Sequence, residues 1–174
     1  AVAGAVAEEV LAAMTQAAAL DRAYVNNGGD IALHLAQAGE AAASFTLALV
    51  ARPEAPTLIG KARVTAQDAA RGIATSGWRG RSFSLGIADS VTVLARTAAE
   101  ADAAATLIAN AVDLPGHPAI TRAPARARDP QSDLGDRLVT LAVGPLSGAE
   151  VAQALDAGVR EAELWRARGL IEAA

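Results

Sequence analysis

The 174-residue chain contains no cysteine. Disulfide frameworks, thiolate metal sites and cysteine nucleophiles are therefore excluded. Aromatic residues make up only 3% of it, so the core has to close through small and branched aliphatic side chains rather than around large rings. Lysine occurs once, at Lys61, and the arginines form no basic cluster beyond Arg126 and Arg128. With a formal net charge of −4, a nucleic-acid surface is not expected. No uninterrupted apolar run approaches the roughly 18 residues of a membrane span. The first ten residues carry Glu8 and Glu9 and no basic residue, so they do not read as a secretory signal. A cytoplasmic protein with no membrane partner is the expectation.

What is present is alanine. The chain is 52% apolar, and alanine supplies most of that. The length suits one domain, residues 1–174, with a core of its own. It opens on Ala1 already in a helical pattern with no capping residue before it, which predicts an upstream N-terminal segment. Val2, Val6, Val10, Leu11 and Met14 recur near one face and predict an amphipathic helix ending near Leu20 and Asp21.

Residues 23–36 read as two strands around Asn26-Asn27-Gly28-Gly29-Asp30. A tight turn needs only one Asn-Gly. Two asparagines, two glycines and an aspartate exceed that need and suggest a ligand loop, with backbone amides brought close at the glycines and side chains at Asn26, Asn27 and Asp30. Gly39 reads as a turn, 44–50 and 58–64 as strands, and 52–56 as a loop. His34 has no partner at metal-ligand spacing and reads as structural or exposed.

Residues 72–110 organise the chain. Gly72-Ile73-Ala74-Thr75-Ser76-Gly77 is a strand closing in a polar turn, and 90–94 is a second strand. Between them 78–81 is too glycine-rich for a helix, and Ser82-Phe83-Ser84-Leu85 alternates like a strand. Thr97 and Glu100 form a capping box for an alanine-rich helix to about Ala111. On it Asp102, Thr106 and Asn110 stand at i, i+4 and i+8, which stacks a carboxylate, a hydroxyl and an amide on one face. Such a face either meets one small polar object or is the wet side of the helix. The remainder reads as an edge strand near Pro124, a polar turn at 129–136, a strand at 138–143, and a helix capped by Ser147 and stopped by Gly169. On that last helix Val151, Leu155, Val159 and Leu164 form the expected apolar side. The element order predicts an α+β fold, a mostly antiparallel sheet with helices on one face.

The succession of Asn26-Asn27-Gly28-Gly29-Asp30, Ala74-Thr75-Ser76-Gly77, Ser90-Val91-Thr92-Val93 and Ala101-Asp102-Ala103-Ala104-Ala105-Thr106 resembles the ApbE superfamily. That superfamily includes FAD:protein FMN transferases, first linked to thiamine biosynthesis. Residues 130–139 and 169–171 resemble a small uncharacterised ApbE-related branch of bacteria and archaea. The resemblance implies Mg²⁺ held by Asp102 and Thr106, with the Ala3 carbonyl as a third ligand. It also implies FAD or FMN as ligand, the loop from Asn27 to Asp30 lining the nucleotide site. The transferase loop His-x-x-Asp-Pro-x-Thr-Gly has no counterpart between Trp78 and Asp89, and no catalytic residue can be named.

The expectation is a pocket formed by Asn26, Asn27, Gly28, Gly29, Asp30, Thr75, Ser76 and Asn110 for a flavin, nucleotide or related heterocycle. One alternative is a Mg²⁺-dependent FMN transferase or pyrophosphate-cleaving enzyme. Another is a structural or assembly protein in which the Asp102, Thr106 and Asn110 stripe is buried for packing specificity or for contact in a homo-oligomer.

Overall fold

The computed structural model describes residues 2–36, 43–50 and 58–174. Helix α1 (Val2–Ala17) leads into strands β1 (Arg22–Asn27) and β2 (Asp30–Leu35). Strands β3 (Ser44–Val50), β4 (Leu58–Thr65), β5 (Gly72–Ser76) and β6 (Val91–Ala95) follow, and then α2 (Ala98–Ala111). β7 (Ile120–Pro124), the one-turn α3 (Ala125–Arg128), β8 (Leu138–Val143) and α4 (Gly148–Ala167) complete the order. Strands β1, β2, β5 and β6 lie side by side in that sequence as an antiparallel sheet. β3–β4 and β7–β8 are separate antiparallel pairs. The fold is α+β. The turn expected at Gly39 and the loop expected at 52–56 lie outside the described residues.

Strand alternation decides what covers each face of the sheet. Ala32 of β2 packs with α1, whereas Leu33 and Leu35 beside it pack with Val64, Phe45 and Leu47 of the β3–β4 pair. Ala74 of β5 and Val93 and Ala95 of β6 pack with Ala101, Ala104, Ala105 and Ile108 of α2. Their neighbours Ile73 and Leu94 point the other way, into the β3–β4 cluster. Helices therefore cover one face and a hairpin covers the other. The C-terminal tail runs past the free edge of β6, where the Leu94 amide donates to Ala173 O and the Glu172 amide donates to Leu94 O.

Helix α2 starts where the sequence predicts. Thr97 Oγ1 accepts from the Glu100 amide, and the Glu100 carboxylate accepts from the Thr97 amide. Its alanines let neighbours approach at backbone distance. A Cβ built on Gly4 of α1 would stand 2.3 Å from Ala98 O, so α1 seats on α2 through a residue with no side chain. Gly158 of α4 is similarly close to Val112.

This small-residue contact reverses the expected orientation of the outer helices. Gly4, Ala7 and Leu11 are the buried side of α1, while Val2, Val6, Val10 and Met14 are exposed. Ala154 and Gly158 are the buried side of α4, while Val151, Leu155, Val159 and Leu164 are exposed. Apolar periodicity marks a stripe but does not say which of two adjacent stripes, bulky or small, can get close enough to a helix of alanines. The small one can.

Residues 82–85 are not a strand. They are held across the molecule instead. Ser84 O accepts from the Thr140 amide at 2.9 Å, and Arg122 donates to Leu85 O and to the Asp113 carboxylate. His34 Nε2 lies 3.0 Å from Leu20 O, a local tie. Among the described residues no helix is long and apolar enough to cross a membrane.

Candidate functional site

The site lies where the sheet splits. β2 and β5 share only two register pairs, Ile31 with Ile73 and Ala32 with Gly72. Past Ile31 the strands part, and the Thr75 amide is met by the Asp30 carboxylate instead of a strand. The gap opens into a cleft of about 660 Å³. The β1–β2 turn, the ends of β5 and β6, the start of α1 and one face of α2 line it.

The turn itself is tight. Gly28 and Gly29 have φ of +72° and +112°, left-handed values that glycine adopts without steric cost. Asn26 Oδ1 accepts from the Gly29 amide at 2.8 Å. Asn27 Nδ2 donates to Ala3 O at 3.2 Å. The polar residues in excess of a simple hairpin are thus all engaged. Asn26 closes the turn, Asn27 ties it to α1, and Asp30 ties it to β5. The Gly29 amide points at Asn26 rather than at a cradle for a ligand.

Asp102 is 8% exposed and borders the same cleft. Its Oδ2 accepts from the Gly4 amide at 2.9 Å. Asp102 also acts on Asp30, whose pKa is pushed up to about 6. Burial is the first cause and repulsion from the Asp102 carboxylate the second; Arg81 and the Thr75 amide pull the other way. Two carboxylates 72 positions apart in the chain thus border one cleft and repel one another. No spacing pattern could have signalled it.

Ala3, Asn26, Asn27, Gly28, Gly29, Asp30, Thr75, Ser76, Asp102 and Thr106 all border this one cleft. Asn110 does not. Its Oδ1 accepts from the Leu85 amide at 2.9 Å and from Ser84 Oγ at 3.2 Å, which fastens α2 to the 82–86 segment. Eight residues along a helix rise about 12 Å, so one end of the stripe meets the cleft and the other end meets a different loop. Thr75 Oγ1 lies 2.8 Å from Thr92 Oγ1 across the β5–β6 pair.

Arg79 and Arg81, either of which the sequence allows as a built-in cation for Asp102 in place of a metal, border the cleft, and so does Asp89, which no motif marks. Asp89 Oδ1 accepts from Arg79 Nε at 2.7 Å and from Trp78 Nε1 at 3.1 Å. The Arg79 guanidinium stacks 4.5 Å from the Trp78 ring centre. The only sequence signal was the Trp78-Arg79-Gly80-Arg81 run, two arginines beside a glycine in a segment that could form neither helix nor strand.

Among the described residues no group of three or more histidines, cysteines, aspartates or glutamates could hold a metal ion. Two carboxylates, Asp30 and Asp102, border the cleft together with Thr106 and Ala3. Their oxygens are hard, of the kind that suit Mg²⁺ when water or a ligand supplies the remaining positions. The Ala3 carbonyl accepts from Asn27 Nδ2, and one Asp102 oxygen accepts from the Gly4 amide, which fixes the direction of both groups.

A family model described as AbpE bacteria matches residues 1–174. A UPF0280 protein of Methanothermobacter thermautotrophicus strain Delta H is 39% identical over 99 residues, covering 52% of this chain and 33% of that protein. The matched stretch therefore spans about a third of the relative's length. No solved structure matches. These findings correct the resemblance to the ApbE superfamily. The matching family is a different one, and the relative is not an ApbE protein either. The four short segments that suggested ApbE are each weak alone, and the transferase loop that would have tested them is missing. Neither description mentions a flavin, magnesium, a transferase or thiamine. The family match runs from the first residue to the last, and the chain belongs to the AbpE bacteria family.

Proposed function

We propose that the cleft between β2 and β5 binds a small heterocyclic ligand, of nucleotide or flavin type, together with a divalent cation at the Asp30–Asp102 pair. The carrying observation is that pair. Two carboxylates that line one half-enclosed space and repel one another favour a proton or a bound cation there. Cleft volume supports the ligand class, since small-molecule sites are typically about 300–1,000 Å³. So does the lining, in which Ile31, Leu47, Ile73 and Ala105 offer an apolar wall next to hydroxyls and charges. The cation would be held by Asp30, Asp102, Thr106 and the Ala3 carbonyl.

Thermal melting tests this reading. Mg²⁺ or Mn²⁺ should raise the melting temperature of the wild-type protein by mass action, and FMN or ADP should add to the rise. Asp102→Asn should abolish the cation effect. A melting curve indifferent to cations and to all of these ligands, confirmed by flat titration calorimetry, overturns the proposal.

A second reading, assembly through another copy of the chain, is favoured by one observation. Val2, Val6, Val10 and Met14 stand exposed along one side of α1, and Glu8 and Glu9 are the only charges on that helix. Sedimentation of the wild type against Val6→Lys/Val10→Lys tests it. A species heavier than the monomer that the double variant dissolves supports assembly, and a wild-type monomer at all concentrations removes it.

A further inference from the structure

We propose that Arg79 and Arg81 form an anion-recognition element at the border of the cleft, and that the ligand of this cleft is a phosphorylated one. This rests on the small-molecule reading above and names the substrate class.

Arg79 is held in place before any ligand arrives. The Gly80 amide donates to Gly77 O at 3.0 Å and closes a turn with Trp78 and Arg79 at its tip. That turn is fastened at its base. The Trp78 amide donates to Ala88 O at 3.0 Å, and a Cβ on Gly77 would stand 2.2 Å from Asp89 O. The arginine side chain is then oriented twice, by Asp89 at its Nε and by the Trp78 ring under its plane. An arginine so restrained loses little further freedom when its planar fork meets an oxyanion.

Arg81 reaches the cleft by a different route. Its Nη2 lies where the β-carbon of any residue but glycine would stand at position 28, 1.8 Å from that point. The guanidinium therefore lies across the bare backbone of the β1–β2 turn, close enough to Asp30 to lower its pKa. Gly28 thus has a second use beyond its positive φ. It makes room for a charge at the lip of the cleft.

The charge balance points to what comes between. Asp30, Asp89 and Asp102 face Arg79 and Arg81 among the lining residues, one negative charge in excess. A divalent cation on the carboxylate pair turns that into one positive charge in excess. The cleft with its cation thus attracts an anion, and the arginine fork matches a phosphate or pyrophosphate oxygen pair. Ser76, Ser82 and Ser90 line the same wall and add hydroxyl donors.

The experiment compares matched probes with the full chain in MgCl₂: FMN against riboflavin, and ADP against adenosine, by titration calorimetry. The phosphorylated member of at least one pair should bind ten-fold or more tightly, and the difference should shrink as salt rises. Arg81→Ala should bring the two members of the pair to within about three-fold of one another, while circular dichroism shows the fold intact. Arg81→Lys should restore only part of the preference, because an ammonium cannot make the bidentate contact. Equal binding of both members by the wild type overturns the inference and leaves the cleft a heterocycle site. Equal preference in wild type and Arg81→Ala also overturns it. Binding of no probe overturns the small-molecule reading itself.

Discussion

Asp102 Oδ2 accepts the Gly4 amide at 2.9 Å, and through that bond a carboxylate on α2 fixes the first turn of α1. The same two helices touch at Gly4 and Ala98, where no β-carbon fits. Gly4→Ala should therefore wedge α1 away from α2, take the amide from Asp102 and move Ala3 out of the cleft wall. The expected loss is about 1–3 kcal/mol, the usual range for overpacking a contact that cannot yield. Urea unfolding should show a lower midpoint with an unchanged slope. A change below about 0.5 kcal/mol would mean that the helices are not seated this closely.

Asp30 makes a prediction about pH. Its pKa is 3.8 in an unperturbed chain and about 6 in the fold. Between these values the folded state keeps a proton that the unfolded chain has released, so stability falls as pH rises from about 4 to 6. Full linkage would amount to about 3 kcal/mol, and solvent in a half-open cleft reduces that to about 1 kcal/mol. Asp30→Asn should flatten the slope of stability against pH in this window. Saturating MgCl₂ should flatten it too, since a bound cation keeps Asp30 ionised. An Asp30→Asn variant with the same slope as the wild type in this window would remove the raised Asp30 pKa from the account.

Asn110 separates structure from binding. Its Oδ1 holds Ser84 Oγ and the Leu85 amide, and it does not border the cleft. Asn110→Ala should cost about 1–3 kcal/mol by stranding those donors. Thr106→Ala, on the same face, should change stability little and weaken the response to Mg²⁺. Equal loss of the Mg²⁺ response in both variants would mean that the stripe acts as one unit.

The exposed valines of α1 predict tolerance. Val6 and Val10 are 47% and 46% exposed. Replacing either with Gln should shift stability of the isolated chain by no more than about 0.5 kcal/mol. Ala7 is fully buried beside them, and Ala7→Leu should cost about 1–3 kcal/mol. If the order of these effects were inverted, the valines would be the core side of the helix, as their periodicity suggests.

Local chemistry was legible in the chain. Thr97 and Glu100, and Ser147 and Glu150, announce their helices because a capping box is completed within four residues. Asn27-Gly28-Gly29-Asp30 announces a hairpin because positive φ is a property of single residues. The α+β class followed from the order of such elements. Ten residues of the cleft could be named as well, since glycine turns and strand ends are where side chains and backbone are free to meet a ligand. Tertiary structure alone decided the rest. It chose the small stripe of α1 and α4 over the bulky one, because contact with an alanine helix depends on how closely two backbones can approach. It divided Asp102 from Asn110, because eight helical residues outreach one cleft. It also set Asp30 against Asp102 and laid Arg81 over Gly28. Coulomb forces act through space, and the distances that govern them do not exist until the chain has folded.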